Sequence, residues 1–212
     1  MVLLFPGSFK PFHDGHFLLL KRYIEELQPE KLYIIISNKN RSGITAESTE
    51  DFIKIALGDR LMDTEINVEI SPSPSPINYC YKIIGNDPEE NEYTMVNSSK
   101  DSDKRIEQFY ELFKKGGKYY HDKSYAVKVD IDIEPIFYNK RKDEFEDAPI
   151  SSAIVRNDII NGDFKNFKKA YEEILNSTYA TVEDLEEYFE DLSEITEQNE
   201  DDIDKLEAYK EF

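Results

Sequence analysis

The 212 residues suit one domain with an appendage, enough chain to bury a sizeable core. An apolar fraction of 39% with 13% aromatic residues excludes a disordered chain, and the single cysteine, Cys80, excludes an internal disulfide framework. No run approaches the ~20 apolar residues that span a bilayer, and a net charge of −19 argues against nucleic acid or an anionic membrane as partner.

Met1 leads straight into Val2, Leu3, Leu4 and Phe5, which read as a buried strand. That start leaves no room for a signal peptide, so a cytoplasmic protein is expected. The stretch FPGSFKPFHDGH, 5–16, follows. A helix is expected from Gly15 to Leu27, with Leu18, Leu19, Tyr23 and Leu27 on its inner face and a stop before Pro29. KLYIIIS, 31–37, is a continuous apolar run of the kind central parallel strands show. The polar loop 37–43 then leads to a helix capped near Thr45 or Ser48, with Phe52, Ile53, Ala56 and Leu57 inward. INVEI, 66–70, alternates like a third strand, and SPSPSP is a stiff loop.

INYCYKII, 77–84, fits helix or strand, with a short helix favoured. YTMVN, 93–97, is the fourth strand. Beyond the loop SSKDSDKR, a helix carries Ile106, Phe109, Tyr110 and Phe113 on one face and ends at Gly116 and Gly117. The strict alternation from 125 to 139 marks a half-exposed edge strand, in keeping with Pro135. Strand–helix repetition with short polar loops indicates a Rossmann-like, doubly wound α/β fold. A mostly parallel five-stranded sheet with helices on both faces is expected. Ligands of such sheets sit above the carboxyl ends of the strands.

Ser151 or Ser152 can cap the next helix, which Gly162 closes; Asp163 caps one more, with Phe164, Phe167, Tyr171, Ile174 and Leu175 on its apolar side. From Thr181 to Phe212 there are 14 acidic and 2 basic residues, a balance of −12, leaving −7 for the other 180 residues. This acidic helical tail, 179–212, follows a main domain of 1–178. Its hydrophobic stripe (Val182, Leu185, Tyr188, Phe189, Leu192, Ile195) would pack on that domain or join copies into a homo-oligomer.

Two places concentrate chemistry. Around Gly7 and Gly15 a strand, a turn and a helix start form an anion site, to which His13 and His16 add imidazole donors. At 151–156 a second helix start offers the hydroxyls of Ser151 and Ser152 and, one turn in, Arg156.

GSFKPFHDGH and ISSAIVR together resemble the paired signature of the nucleotidylyltransferase superfamily, over about residues 1 to 165. The first motif is most similar to that of nicotinamide mononucleotide adenylyltransferases. Pantetheine-phosphate adenylyltransferase and glycerol-phosphate cytidylyltransferase are the nearest alternatives, and a nucleotide-binding regulatory protein without turnover is the other class. Lys10 stands where many members have Asp, Asn or Gln, and Ala153 where Thr is usual. The resemblance implies transfer of a nucleoside monophosphate from ATP or CTP to a phosphorylated small molecule, with release of pyrophosphate. It implies His16 on the α-phosphate and His13 on the β/γ-phosphates, with the backbone of Ser8 and Phe9 between Gly7 and Gly15 against the nucleotide. Arg156, Ser151 and Ser152 would hold the β/γ-phosphates, and Lys10 would neutralise a phosphate group. Lys39 and Arg41, then Lys100, Asp101 and Arg105, are acceptor-binding candidates. Mg²⁺ is expected on the triphosphate rather than on a protein metal site.

Overall fold

The computed structural model of the chain describes residues 1–87, 91–97, 104–129, 131 and 150–194. In chain order they form β1 (Val2–Gly7), α1 (Asp14–Leu27), β2 (Lys31–Ile36), α2 (Ala46–Leu57), β3 (Arg60–Leu61) and β4 (Thr64–Ile70). There follow α3 (Pro76–Asn86), β5 (Asn91–Met95), α4 (Lys104–Phe113), β6 (Ser124–Ala126), α5 (Ser152–Ile160), α6 (Phe164–Lys169) and α7 (Glu172–Ser177). A last helix, α8, runs through 182–194.

The sheet order is β3-β4-β2-β1-β5-β6. The five expected strands are all parallel, and β3, two residues long, adds an antiparallel edge against β4 that no sequence period could reveal. β1 is central. From it the chain winds outward through β2 and β4, then returns to the other side as β5, so the switch of direction falls between β1 and β5. The loops after β1 and β2 therefore rise at the carboxyl ends of the strands where such sheets take ligands.

The pleat of β1 divides the core. Leu3 and Phe5 face one layer with Leu32, Ile34 and Ile36, covered by α1, α2 and α5 to α8. Val2 and Leu4 face the other, with Ile35, under α3 and α4. The residues expected inward on α2 and α4 are buried as expected. On α1 the buried set is Phe17, Leu19, Leu20, Tyr23 and Ile24, while Leu18 and Leu27 only flank it. The face is rotated from the expected one, with Phe17, Leu20 and Ile24 turned into the core shared with β1 and α7.

Two elements differ from their sequence reading. The helix begun at Asp163 breaks at Ala170 and Tyr171 into α6 and α7, because a side chain from α1 caps the second half, as shown below. Of the expected edge strand, the described residues form β6, Ser124–Ala126; 130 and 132–149, including Pro135, lie outside the described residues. Helix α8 buries Leu185, Tyr188, Phe189 and Leu192 in the same core as β1, and Tyr188 stacks on Phe52 at 4.2 Å. The described part of the tail stripe is thus covered within the chain. Among the described residues, no helix is long and apolar enough to cross a membrane.

Candidate functional site

The loop from Ser8 to His13 turns on two glycines. A Cβ on Gly7 would lie 2.5 Å from the Phe9 ring, so only glycine lets that ring fold beneath the strand end. Phe9 takes a left-handed φ of 54° and turns its side chain into the core, against Phe5, Phe12 and His16. At Gly15 a Cβ would meet Ile150 Cγ2 at 2.7 Å and His13 Cε1 at 2.9 Å.

His13 is the N-cap of α1. Its Nδ1 accepts the Gly15 N–H at 3.1 Å, which fixes the neutral tautomer with the proton on Nε2. That Nε2 and the Nδ1 of His16 are buried with no hydrogen-bond partner among the described residues. The two rings stack with centroids 3.9 Å apart, and Phe12 stacks on His16 from beyond. Burial drives the His13 pKa well below its ordinary value, with the charges of His16 and Arg156 adding to the effect. Burial alone brings His16 down to about 4. Both imidazoles are thus neutral hydrogen-bonding groups at neutral pH, with unmet capacity.

Helix α5 comes to meet them. Ser151 caps it by accepting the Ile154 N–H, and Ser152 Oγ donates to the Pro11 carbonyl at 3.2 Å. Arg156 Nη1 donates to the Lys10 carbonyl at 2.6 Å. The two motifs, some 140 residues apart in the chain, are therefore bonded to each other. Burial and the nearby Arg41 lower the proton affinity of Arg156, which stays cationic all the same. Arg156 and Arg41 form a positive pole at the strand ends of a strongly acidic chain, and such a pole attracts polyanions.

Lys10 is buried. Its ammonium donates to the Ser37 carbonyl at 2.5 Å and to the Lys39 carbonyl. Burial lowers its pKa to about 8, opposed by the charge of Glu47. Ser8, Lys39 and Arg41 keep access to solvent. Arg105 lies on α4, over the opposite sheet face, and donates to Ser75 Oγ at 3.2 Å. Lys100 and Asp101 lie outside the described residues.

One residue of this region escaped the sequence reading. Asp14, between the two histidines, is buried, and its carboxylate accepts the N–H groups of Glu173 and Ile174 at 3.0 Å each. Its own N–H donates to the Ala170 carbonyl. An aspartate in a first helical turn is ordinary by local pattern, and nothing nearby in sequence signals a cap given to another helix.

The described residues contain no group of three His, Cys, Asp or Glu side chains that could hold a metal ion. What the crevice offers is N–H and hydroxyl donors, a set suited to phosphate oxygens. A profile described as cytidylyltransferase-like matches residues 4–158, a span that includes both motifs. No individually curated protein matches the chain.

Proposed function

The chain belongs to the cytidylyltransferase-like family, and on that premise we propose that it transfers a nucleoside monophosphate from a nucleoside triphosphate to a phosphorylated small molecule, releasing pyrophosphate. The observation that carries this reading is the bonding of α5 to the histidine loop, Ser152 to Pro11 and Arg156 to Lys10. It brings a guanidinium, a helix start and two unsatisfied imidazoles to one crevice.

The reaction follows from charge. An acceptor phosphate oxygen attacks the α-phosphorus in line, and the bond from that phosphorus to the β-phosphate oxygen breaks, its electron pair leaving with pyrophosphate. Charge builds on the α-phosphate and on the leaving group, and donors already in place stabilise it best. In this reading His16 serves the α-phosphate, and His13, through its Nε2 proton, serves the β/γ-phosphates or the α–β bridge. Arg156 and the Ser151–Ser152 helix start hold the β/γ-phosphates, with the backbone of Ser8 and Phe9 beside the nucleotide. Lys39 and Arg41, exposed at the rim, meet the acceptor phosphate. Mg²⁺ would enter on the triphosphate, ligated by its oxygens and water, and would spread the charge of the polyphosphate.

ATP is favoured as donor and nicotinamide mononucleotide as acceptor, on the likeness of GSFKPFHDGH to the adenylyltransferase motif. A cytoplasmic location goes with this reading, and the net charge of −19 speaks against a membrane or nucleic acid as partner. The test is pyrophosphate release with ATP or CTP against nicotinamide mononucleotide, phosphopantetheine and glycerol phosphate. Turnover with one pair is expected. Nucleotide binding without turnover on every acceptor would favour the regulatory reading, for which Ala153 and Lys10 speak.

A further inference from the structure

Lys10 is only 1% exposed, and two of its three ammonium N–H groups are held by the Ser37 and Lys39 carbonyls. Its own carbonyl takes the Arg156 hydrogen bond. One residue thus ties together three segments that border the crevice: the histidine loop, the loop after β2, and α5.

Among the described residues, the loop after β2 is otherwise fastened to the rest of the chain at its two ends. At its base Ser37 N–H donates to the Gly7 carbonyl and Ser37 Oγ to the Pro74 carbonyl. At its far end Arg41 and Ile44 exchange backbone hydrogen bonds across Ser42 and Gly43, both left-handed, and Ile44 is buried. Between these ends, the Lys39 N–H reaches Ser37 Oγ at 3.3 Å, and the Lys39 carbonyl is held by Lys10.

We propose that Lys10 is a positioning residue: by gripping the carbonyls of Ser37 and Lys39, its ammonium sets the height of the loop that presents Lys39 and Arg41 to the acceptor's phosphate. This rests on the reading of those two side chains as the acceptor site. It also assigns Lys10 a role through backbone rather than through direct contact with a phosphate. With two of its three N–H groups on carbonyls, the buried ammonium has one donor left, and its main hold is on backbone.

The grip depends on charge, since charge-assisted hydrogen bonds are roughly twice as strong as neutral ones. The charged and titratable groups around it are Glu47 on α2, Lys39 and Arg41 in the loop itself, Arg156 on α5, and His13 and His16 at the start of α1. Neither histidine titrates near pH 8, and Arg156 stays cationic there. Burial brings the Lys10 ammonium to about 8, so it loses its proton just above neutrality.

The experiment compares wild type, Lys10→Met and the exposed variant Glu47→Gln. Lys10→Met is expected to raise the acceptor KM about tenfold or more while triphosphate KM and kcat change less than about threefold. In wild type the acceptor KM should rise between pH 7 and 9.5. In Lys10→Met it should be flat, and in Glu47→Gln the rise should begin at lower pH. Hydrogen exchange supplies an arm independent of turnover: amides of residues 38–43 should exchange faster in Lys10→Met at pH 7, and in wild type should open disproportionately above pH 8. Unchanged exchange in Lys10→Met, or a loss of kcat a hundredfold with acceptor KM intact, would overturn the assignment. If wild type turns over no acceptor, the functional reading fails, and the exchange arm still decides whether Lys10 holds the loop.

Discussion

The imidazoles of His13 and His16 lie nearly face to face, their centroids 3.9 Å apart and their planes 29° from parallel. Two positive charges at that separation repel by about 4 kcal/mol for an effective dielectric of about 20. Burial acts in the same direction, so the pair is neutral and waits for an anion to change the balance.

This gives a direct measurement. In the free protein neither histidine should titrate near 6.5 when ring protons are followed by NMR from pH 5 to 8. On addition of a non-hydrolysable triphosphate at least one of them should move up into that range, because the phosphate charge favours the imidazolium. An ordinary titration of both rings in the free protein would mean that the pair is not buried as described.

His13 has two functions that substitution separates. His13→Ala removes the cap of α1, at about 0.5–2 kcal/mol in stability, and also the Nε2 donor, worth on the order of a hundredfold or more in kcat. Asparagine is a strong N-cap residue without that donor. His13→Asn should therefore recover the stability seen in urea unfolding while remaining as slow as His13→Ala. Recovery of rate together with stability would reduce His13 to a cap.

Asp14 has a pH dependence with a definite sign. Burial raises its carboxyl to about 7, although the N–H groups of Glu173 and Ile174 oppose that rise, while in the unfolded chain it titrates near ~3.9. A raised folded pKa means that its contribution is fully present below the unfolded value and is lost as pH rises toward 7. Asp14→Asn does not titrate. Urea unfolding at pH 5, 6, 7 and 8 should show wild type losing stability relative to Asp14→Asn across that window. A constant difference would show that the helix N–H groups keep Asp14 ionised throughout.

The described start of the acidic tail, helix α8, is part of the core. Leu185 and Leu192 on α8 are fully buried, so Leu185→Ala should cost about 2–5 kcal/mol. Truncation after Thr178 should lower the melting temperature and solubility together. A truncated chain that melts and sediments like the full one would contradict the packing of α8 on Phe52 and Phe167.

What was legible in the sequence was short-range. Asp163 caps its helix as expected and Thr45 and Ser151, each one of two expected candidates, cap theirs, because a cap is settled within three residues, and the apolar runs at 2–5 and 31–37 are the central strands. The histidine and serine–arginine stretches were legible as helix starts for the same reason. The roles set by distant partners were not. Lys10 reads as a free cation, but its acceptors lie 27 and 29 residues away, and burial decides its environment. Asp14 caps a helix 159 residues later, which also breaks what reads as one helix into α6 and α7. The Phe9, Phe12 and His16 ring cluster depends on a left-handed turn at Phe9, a conformation its residue type does not advertise.

The bonds from Ser152 and Arg156 back to Pro11 and Lys10 also set an order in time. A chain emerging from the ribosome presents its histidine loop first and waits through most of its synthesis for the other jaw. Until residues 152–156 and the Asp14 partners at 173 and 174 are outside, the loop lacks the residues that close it. A half-made chain therefore carries only one side of the proposed nucleotide site, and the second side arrives with α5 and α7.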